Sequence, residues 1–444
     1  MPMWPSPVST RLGRPAQRAC SARKALVVLP AATLAGIMPG LALPCAGIVA
    51  VCFAVSAVDA MLSRQRVAAF GARAPEMVRL TKDVRADVTI TLENRSTRAL
   101  EVRAGLAMPE GVASERLTES VTLQPGRSAL AWPCTGNTRG DHALRDLNVE
   151  TPSPLGLWLA RARVPVECNL RVYPNLRDRA TAALFLRAPN AGMRVHRQVG
   201  KGREFERLRE YIPGDSYEDI HWKATAHRRA PVVKLYQVEH AQEVYVVVDA
   251  SRLSAREQIL ESYVTAALHL ALAAERQGDR FGLITFSDRP HRMVRARGGM
   301  DHFRLCREAI YNLHARRVSP DFRELFTSLQ LNLRRRSLLI FFTSLDDPLL
   351  AETFAREVAL VARRHLVLVN VMRTAGSQPL FEGDGPADVE AAYQALAGQM
   401  LWNKMRELQI ELHNRGVRLS VVDPQNIKAQ ATAAYLEIKR RQLL

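Results

Sequence analysis

The stretch Glu243–Ser251, EVYVVVDAS, decides the fold of the C-terminal half of this 444-residue chain. Residues 244–248 form an apolar, largely β-branched run, which is typical of a strand buried on both faces. Residues 256–277 follow with apolar side chains at the three- and four-residue spacing of a helix. Strands and helices then alternate to the end of the chain. Residues 243–444 are therefore predicted to form a mostly parallel sheet with helices on both faces.

The same pattern locates the later elements. Strands are predicted at 281–286, 338–342, 366–371 and 417–422, and helices at 301–313, 322–333, 350–363, 388–413 and up to 442. A basic, hairpin-like stretch lies between the second strand and the helix that follows it.

Asp249 and Ser251 lie where the first of these strands ends. In open α/β sheets, ligands bind at the carboxyl ends of the strands, near the point where the strand order reverses. Carboxylate and hydroxyl oxygens are the ligands that Mg²⁺ prefers. Asp249 and Ser251 are therefore candidate metal ligands, and the alternative is that the two side chains cap the helix that follows.

Residues 72–175 have a different sequence pattern, with short runs in which apolar and polar residues alternate. Val88, Ile90 and Leu92 alternate with threonines, and turn residues such as those at 93–96 separate the runs. This pattern predicts an antiparallel β-sandwich. We expect Trp132 and Trp158 to fill its core.

The N-terminal residues 1–24 are basic, and the chain then continues from Ala25 to Val58 without a charge. This run is too long for a signal peptide, and Pro39-Gly40 divides it. Arginines recur beyond it, so both flanks prefer the cytoplasm. A transmembrane hairpin over residues 25–62 satisfies both flanks; the alternative is a single span with the bulk of the chain outside.

The overall composition leaves several kinds of function open. A net charge of +18 is compatible with nucleic acid or an anionic membrane surface, but the basic residues are dispersed and no DNA-binding motif is present. No G-x-S-x-G, H-E-x-x-H or cysteine–histidine nucleophile motif occurs, and Gly200-Lys201-Gly202 fails the phosphate-loop spacing. The sequence therefore indicates a non-enzymatic protein without a cofactor, and an unrecognised hydrolase is the alternative.

Residues 176–242 connect the two predicted domains and contain a dense charged and aromatic segment. Residues 202–215 read GREFERLREYIPGD, and residues 219–226 read DIHWKATA. Together with 139–142, 154–158 and 172–174, they resemble von Willebrand factor A-like (vWA-like) proteins encoded beside MoxR-type AAA+ ATPases. The resemblance covers nearly the whole chain.

This resemblance implies a vWA-like, Rossmann-like α/β domain, preceded by a β-sandwich and a transmembrane hairpin. The vWA metal motif is Asp-x-Ser-x-Ser, and here Leu253 stands at its third ligand position. No threonine occurs near Ser319, and Ser344 stands where the later aspartate is expected. Asp249 and Ser251 are then the remnant of a degenerate Mg²⁺ site.

The resemblance also implies a function. It predicts a membrane-anchored protein-interaction module that is a partner or adaptor of a MoxR-type AAA+ ATPase in protein-complex maturation, at the bacterial inner membrane with its soluble domains cytoplasmic. The candidate partner-binding residues are Arg207, Arg209, Tyr211, Asp215, Trp222 and Lys223.

Other interpretations stay open. In one, Tyr211, Ile212 and Trp222 pack the connection between the domains, while Asp215 and Glu210 pair with arginines. The alternative functions are an envelope-assembly or structural scaffold without an ATPase partner, and a nucleic-acid or anionic-lipid binder driven by the positive charge.

Overall fold

The computed structural model describes residues 42–177, 199–213, 215–228, 230–237, 242–256, 259–374, 376–379 and 388–441. The chain divides into two compact units, Met1–Asn175 and Leu176–Leu444. Residues 1–41 lie outside the described part, and with them the predicted basic tail, the first half of the predicted hairpin and its Pro39-Gly40 turn.

The first unit begins with helix α1, Ala42–Ala68. Its residues Ala46–Ala68 are long and apolar enough to cross a membrane, and most of their surface is exposed. The helix contains the second half of the predicted hairpin. An apolar helix near the N terminus is thus present, which is weak evidence of a membrane anchor.

Nine strands follow in this unit. They are β1 Phe70–Arg73, β2 Met77–Thr81, β3 Arg85–Asn94, β4 Leu100–Leu106, β5 Val112–Ala113, β6 Thr118–Leu123, β7 Gly126–Gly136, β8 Gly140–Pro152 and β9 Leu159–Tyr173. They form a four-stranded sheet in the order β1-β3-β7-β5 and a five-stranded sheet in the order β2-β9-β8-β4-β6. All neighbours are antiparallel except β2 and β9, which are parallel.

The two sheets share one hydrophobic core. Val88, Ile90 and Leu92 are buried on β3 while the residues between them are more exposed, as their alternation predicts. Trp132 on β7 is fully buried in this core. The prediction of an antiparallel β domain and the placement of Trp132 are therefore confirmed.

The prediction for Trp158 was wrong. Trp158 lies in the loop between β8 and β9, where no strand imposes an inward face, and 39% of it is exposed. Its indole nitrogen donates a hydrogen bond to the carbonyl oxygen of Ser56 on α1, at 2.8 Å.

The second unit contains a two-stranded antiparallel sheet and a six-stranded sheet. Its elements are β10 Val199–Glu210, α2 Trp222–Arg228, β11 Val232–Gln237, β12 Glu243–Asp249, α3 Ile259–Arg276, β13 Arg280–Phe286, β14 Pro290–Arg297, α4 Met300–Ile310, α5 Phe322–Asn332, β15 Leu338–Phe342, α6 Pro348–Ala362, β16 Leu366–Met372, α7 Val389–Asn414, β17 Val417–Val422 and α8 Ile427–Arg440. Strands β10 and β11 pair with each other inside the predicted connection 176–242.

The large sheet has the order β14-β13-β12-β15-β16-β17. Its strands are parallel except β14, which forms an antiparallel hairpin with β13 at one edge. Along the chain, β13 lies on one side of β12 and β15 on the other. The order therefore reverses between β12 and β15, at the carboxyl ends of these two strands.

Each face of the sheet has its own core. Val244, Val246 and Val248 point into a core with α3, α4 and α8, while Tyr245 and Val247 point into a second core with α5, α6 and α7. Successive side chains of a strand point to opposite faces, so a strand covered on both sides must be apolar throughout. The predicted parallel sheet and its strand and helix positions are confirmed.

Candidate functional site

The first candidate site lies at the reversal point of the large sheet. Asp249 ends β12, and Thr343 directly follows β15. One carboxylate oxygen of Asp249 accepts from the Thr343 hydroxyl at 2.6 Å, and the other accepts from the Ser251 amide at 2.8 Å. All three residues are fully buried. The aspartate therefore joins the two central strands at their carboxyl ends.

Burial is the largest influence on the pKa of the Asp249 carboxylate. Loss of solvation raises the pKa of Asp249, and the hydrogen bonds from Thr343 and Ser251 lower it in part. A buried carboxylate with two donors is a satisfied group, so its interactions are explained by the protein alone.

Ser251 caps the short 3₁₀ helix Arg252–Ser254, since its hydroxyl oxygen accepts from the Leu253 amide at 3.3 Å. The capping interpretation of the sequence agrees with this arrangement.

Arg252 occupies a position that the sequence did not single out. Its Nε donates to the Ser319 hydroxyl at 3.1 Å, and a terminal nitrogen lies 3.1 Å from a carboxylate oxygen of Asp347. The backbone amide of Arg252 also donates to the Val318 carbonyl at 2.9 Å. The Arg252 guanidinium thus links the loop after β12 to the two other loops at this edge of the sheet, which carry Ser319 and Asp347.

These residues, as arranged, do not fit an octahedral Mg²⁺ shell. Asp249 and Ser251 supply only two of the roughly six oxygens of such a shell, both are fully buried, and Arg252 places a positive charge among the loops that would supply further ligands. Asp346 is also engaged, by the Thr374 hydroxyl at 2.8 Å. In the part of the chain that the structure describes, no three His, Cys, Asp or Glu residues are grouped to hold a metal.

A serine, a histidine and an aspartate meet at the end of β13, but not as a nucleophile with its base. The Ser287 hydroxyl lies 2.5 Å from His291 Nε2 and 2.6 Å from an Asp288 oxygen. Asp288 approaches the same Nε2, at 3.7 Å, instead of orienting the ring through its other nitrogen. Ser287 is also fully buried, so a substrate has no access to its hydroxyl.

A thiol that lies beside a histidine is also unsuited to attack. Cys306 lies 3.6 Å from His302 one turn earlier on α4, and burial raises the pKa of its thiol to about 12. The thiol is therefore protonated near neutral pH, and a thiol reacts as the thiolate.

The second candidate site is the loop at 211–231, which joins β10 to β11 and which we call the hairpin loop. Its base is closed by the strand pair Glu210 and Val232 and by a hydrogen bond from the Tyr211 amide to the Pro231 carbonyl at 2.9 Å. At the same base, the Val232 amide donates to the hydroxyl of Thr225, which lies on α2, at 3.0 Å. The charged and aromatic segment therefore forms strand β10 and the loop that connects it to β11.

An ion pair holds the first half of this loop. A terminal nitrogen of Arg209 lies 2.6 Å from one oxygen of Asp215, and the Ile212 amide donates to the other oxygen at 3.0 Å. The Ile212 amide, and after it Arg209, lower the pKa of Asp215. Tyr211 stacks on Tyr217 with ring centroids 6.1 Å apart, and burial raises the pKa of its phenol.

The apolar side chains of the loop are exposed. Ile212 is 57% exposed, Tyr217 is 74% exposed and Trp222 is 68% exposed. The prediction that Ile212 and Trp222 pack the connection was therefore wrong, because Ile212 lies just past the end of β10 and Trp222 begins the short helix α2 with its side chain outward. The predicted pairing of Asp215 with an arginine is confirmed.

The other predicted partner-binding residues are placed as follows. Lys223 is exposed on α2, next to Trp222. The backbone of Arg207 lies in β10, opposite Leu235 on β11, and its side chain lies outside the described residues. The structure therefore brings Arg209, Tyr211 and Asp215 together and leaves Trp222 and Lys223 on an outer surface of the same loop.

One protein-family model matches part of the chain. Residues 207–390 match the family model described as protein of unknown function DUF58. The match begins in β10 and ends in the first turn of α7. No curated protein matches the chain.

Several solved structures share local likeness. The conserved hypothetical protein BatB from Bacteroides thetaiotaomicron is 15% identical, with 45% of this chain and 100% of that chain covered and a TM-score of 0.30. The PapD-like domain 7 of human CEP192 is 12% identical over 24% of this chain and 87% of that chain, with a TM-score of 0.19. Proximal thread matrix protein 1 from the mussel byssus is 9% identical over 45% and 46%, with a TM-score of 0.27. Likenesses of this size carry no argument about function.

Proposed function

We propose that this chain is a membrane-anchored, non-enzymatic protein-interaction module whose hairpin loop binds a protein partner. The observation that carries the proposal is the exposure of Ile212, Tyr217 and Trp222 on the hairpin loop, whose first half is held by the Arg209–Asp215 ion pair. Aromatic and arginine side chains are the usual anchors of protein interfaces, and exposed apolar side chains close together in the sequence mark interaction sites.

The proposal includes a vWA-like α/β domain. It is supported by the strand order of the large sheet, which reverses between β12 and β15, and by the position of Asp249 and Ser251 at that reversal. In this proposal the domain is independent of metal, because Asp249 and Ser251 are satisfied by protein hydrogen bonds and Arg252 joins two of the loops that would supply further ligands.

The absence of catalysis is part of the same proposal. It is supported by the burial of Ser287, by the approach of Asp288 to the wrong nitrogen of His291, and by the protonated thiol of Cys306. The anchor is supported by helix α1, and the location at a bacterial inner membrane with cytoplasmic soluble domains rests on the basic residues that flank the apolar run.

The identity of the partner rests on the resemblance. We propose a MoxR-type AAA+ ATPase, or a client that this ATPase remodels, as the protein that meets the hairpin loop. A scaffold that works without an ATPase would instead bind other envelope proteins. The proteins that co-purify with the chain therefore distinguish the two functions.

The test is co-purification of the tagged full chain with the neighbouring ATPase from native membranes. We expect Trp222→Ala and Arg209→Glu to reduce the captured ATPase, because the first removes an exposed anchor from the loop and the second breaks the ion pair that holds the loop. Leu331→Ala is the matched control, since Leu331 is 74% exposed on α5 and lies outside the loop. Undiminished capture by a folded Trp222→Ala variant would remove the proposed interface, and capture of envelope proteins without any ATPase would favour the scaffold.

A further inference from the structure

Helix α1 is joined to the β domain by a buried carboxylate. Asp59 is fully buried although it lies on a helix whose other side chains are largely exposed. One oxygen of Asp59 accepts from the Ser153 hydroxyl at 2.5 Å, and the other accepts from the Leu155 amide at 3.0 Å. The loop Ser153–Trp158, which we call the β8–β9 loop, is therefore fixed against one turn of the helix.

A second set of hydrogen bonds fixes the far end of this loop. The Trp158 indole donates to the Ser56 carbonyl at 2.8 Å, and the Trp158 amide donates to the Ser153 hydroxyl at 2.9 Å. The polar atom of the indole is thus satisfied by the helix, while part of the ring remains exposed. This is the condition under which a tryptophan can enter an apolar medium without losing a hydrogen bond.

The exposed surface of the loop continues the apolar surface of the helix. Leu155 is 56% exposed, and on α1 Val55 and Val58 are 43% and 56% exposed. The uncharged part of the chain ends at Val58, and the first basic residue beyond it is Arg64. At a rise of about 1.5 Å per residue, Arg64 lies roughly 8 Å along the helix from Asp59. The β8–β9 loop therefore flanks α1 between its apolar part and its first positive charge.

We propose that Leu155 and Trp158 enter the interfacial layer of the lipid bilayer beside α1, and that the β domain is thereby held at the membrane surface by a second contact. Continuity with the apolar helix identifies lipid as the occupant of this surface. Tryptophan is enriched at the boundary between hydrocarbon and water, because its ring is apolar and its N–H is polar. Arg64 then lies at the level of the headgroups, where an arginine is favourable near anionic lipid.

The test is tryptophan quenching in the full chain, reconstituted into vesicles of phosphatidylcholine and phosphatidylglycerol. The phosphatidylcholine carries bromine near the carboxyl end of its acyl chains, and unbrominated vesicles serve as the reference. The contribution of Trp158 is the difference between the unmodified chain and Trp158→Phe. Trp222→Phe, which alters an exposed tryptophan in the other unit, is the control.

We expect the bromine-quenched component to be lost in Trp158→Phe and retained in Trp222→Phe. Equal quenching in the unmodified chain and Trp158→Phe, in a chain that floats with the vesicles, would overturn the proposal alone. A chain that fails to float would overturn the membrane anchor of the proposed function, on which this proposal rests, and the proposal with it.

A second pair of variants tests the leucine. Leu155→Glu should reduce the quenching of Trp158, because a carboxylate resists entry into the bilayer. Leu117→Glu, at a position that is 55% exposed elsewhere in the β domain, should leave the quenching unchanged. An equal effect of the two glutamates, or no effect of Leu155→Glu, would contradict insertion of the loop.

Discussion

Replacing Asp249 by alanine tests whether the reversal point of the large sheet is held by hydrogen bonds within the protein. The change removes the acceptor of two buried donors, the Thr343 hydroxyl and the Ser251 amide. Leaving a buried donor unsatisfied costs about 1–3 kcal/mol, so the two donors together cost roughly 2–6 kcal/mol. Removal of a carboxylate whose pKa is raised by burial offsets part of this loss. We expect a net destabilisation of about 2–4 kcal/mol.

The assay is hydrogen exchange followed by mass spectrometry on peptides that cover β12 and β15. Exchange reports local opening free energies, which suits a chain with two units and no single unfolding transition. Thr343→Val removes the hydroxyl while keeping the shape of the side chain. In the double variant, Asp249→Ala with Thr343→Val, both partners of one hydrogen bond are absent. The destabilisation of the double variant should therefore be smaller than the sum of the two single destabilisations by about 1 kcal/mol.

The same measurement distinguishes a hydrogen-bonded aspartate from a metal ligand. The strands should exchange equally in Mg²⁺ and in EDTA, because two fully buried side chains, Asp249 and Ser251, do not make an octahedral shell. A ligand present at 100 times its dissociation constant would instead stabilise the folded state by about 2.7 kcal/mol. Protection by Mg²⁺ that disappears in Asp249→Ala, or strictly additive costs in the double variant, would refute the reasoning.

Three further predictions concern other parts of the chain. Lys439→Met should destabilise α8 by about 3–5 kcal/mol, measured by hydrogen exchange, because it leaves the buried carboxylate of Asp279 without the ammonium that lies 2.8 Å away. Trp132→Ala should cost the β domain about 3–5 kcal/mol in urea unfolding, since this side chain is fully buried. The Ile212 amide holds the pKa of Asp215 below its ordinary value. The charged form of Asp215 should therefore stabilise the hairpin loop at every pH above the ordinary carboxyl pKa, and this stabilisation should be lost as the pH falls through the lower pKa of Asp215 in the folded protein. Limited proteolysis of the loop measures this pH dependence, and Asp215→Asn should flatten it.

The sequence predicts the large sheet well because burial on both faces leaves a direct mark on it. Residues 244–248 and 338–342 are apolar at every position, and the structure shows alternate side chains entering two different cores. The burial of Trp132 follows in the same way from the alternation around it. Trp158 lies in a loop without such an alternation. Its indole instead bonds to Ser56 on α1, 102 residues earlier in the chain, which no local pattern reveals.

The strand-end site could be predicted only in part. Asp249 and Ser251 are visible because they directly follow an apolar run, and Thr343 carries the same signal after β15. Arg252 carries no such signal, because its role depends on Ser319 and Asp347, which reach it from other loops. Side chains of a site converge in space and not in sequence, so spacing alone does not reveal them.

The hairpin loop shows the same division. Its composition identifies an unusual segment, and the Arg209–Asp215 pair follows from the proximity of opposite charges. The exposure of Ile212 and Trp222 depends on the pairing of β10 with β11, which composition does not reveal.

The most direct test of the central claim is photocrosslinking in intact cells from a benzophenone amino acid placed at position 222, with position 331, which is similarly exposed, as the reference. We predict an adduct between the chain and the MoxR-type ATPase or its client from position 222 and none from position 331. Failure to form a protein adduct at position 222, or the same adducts from both positions, would contradict the account.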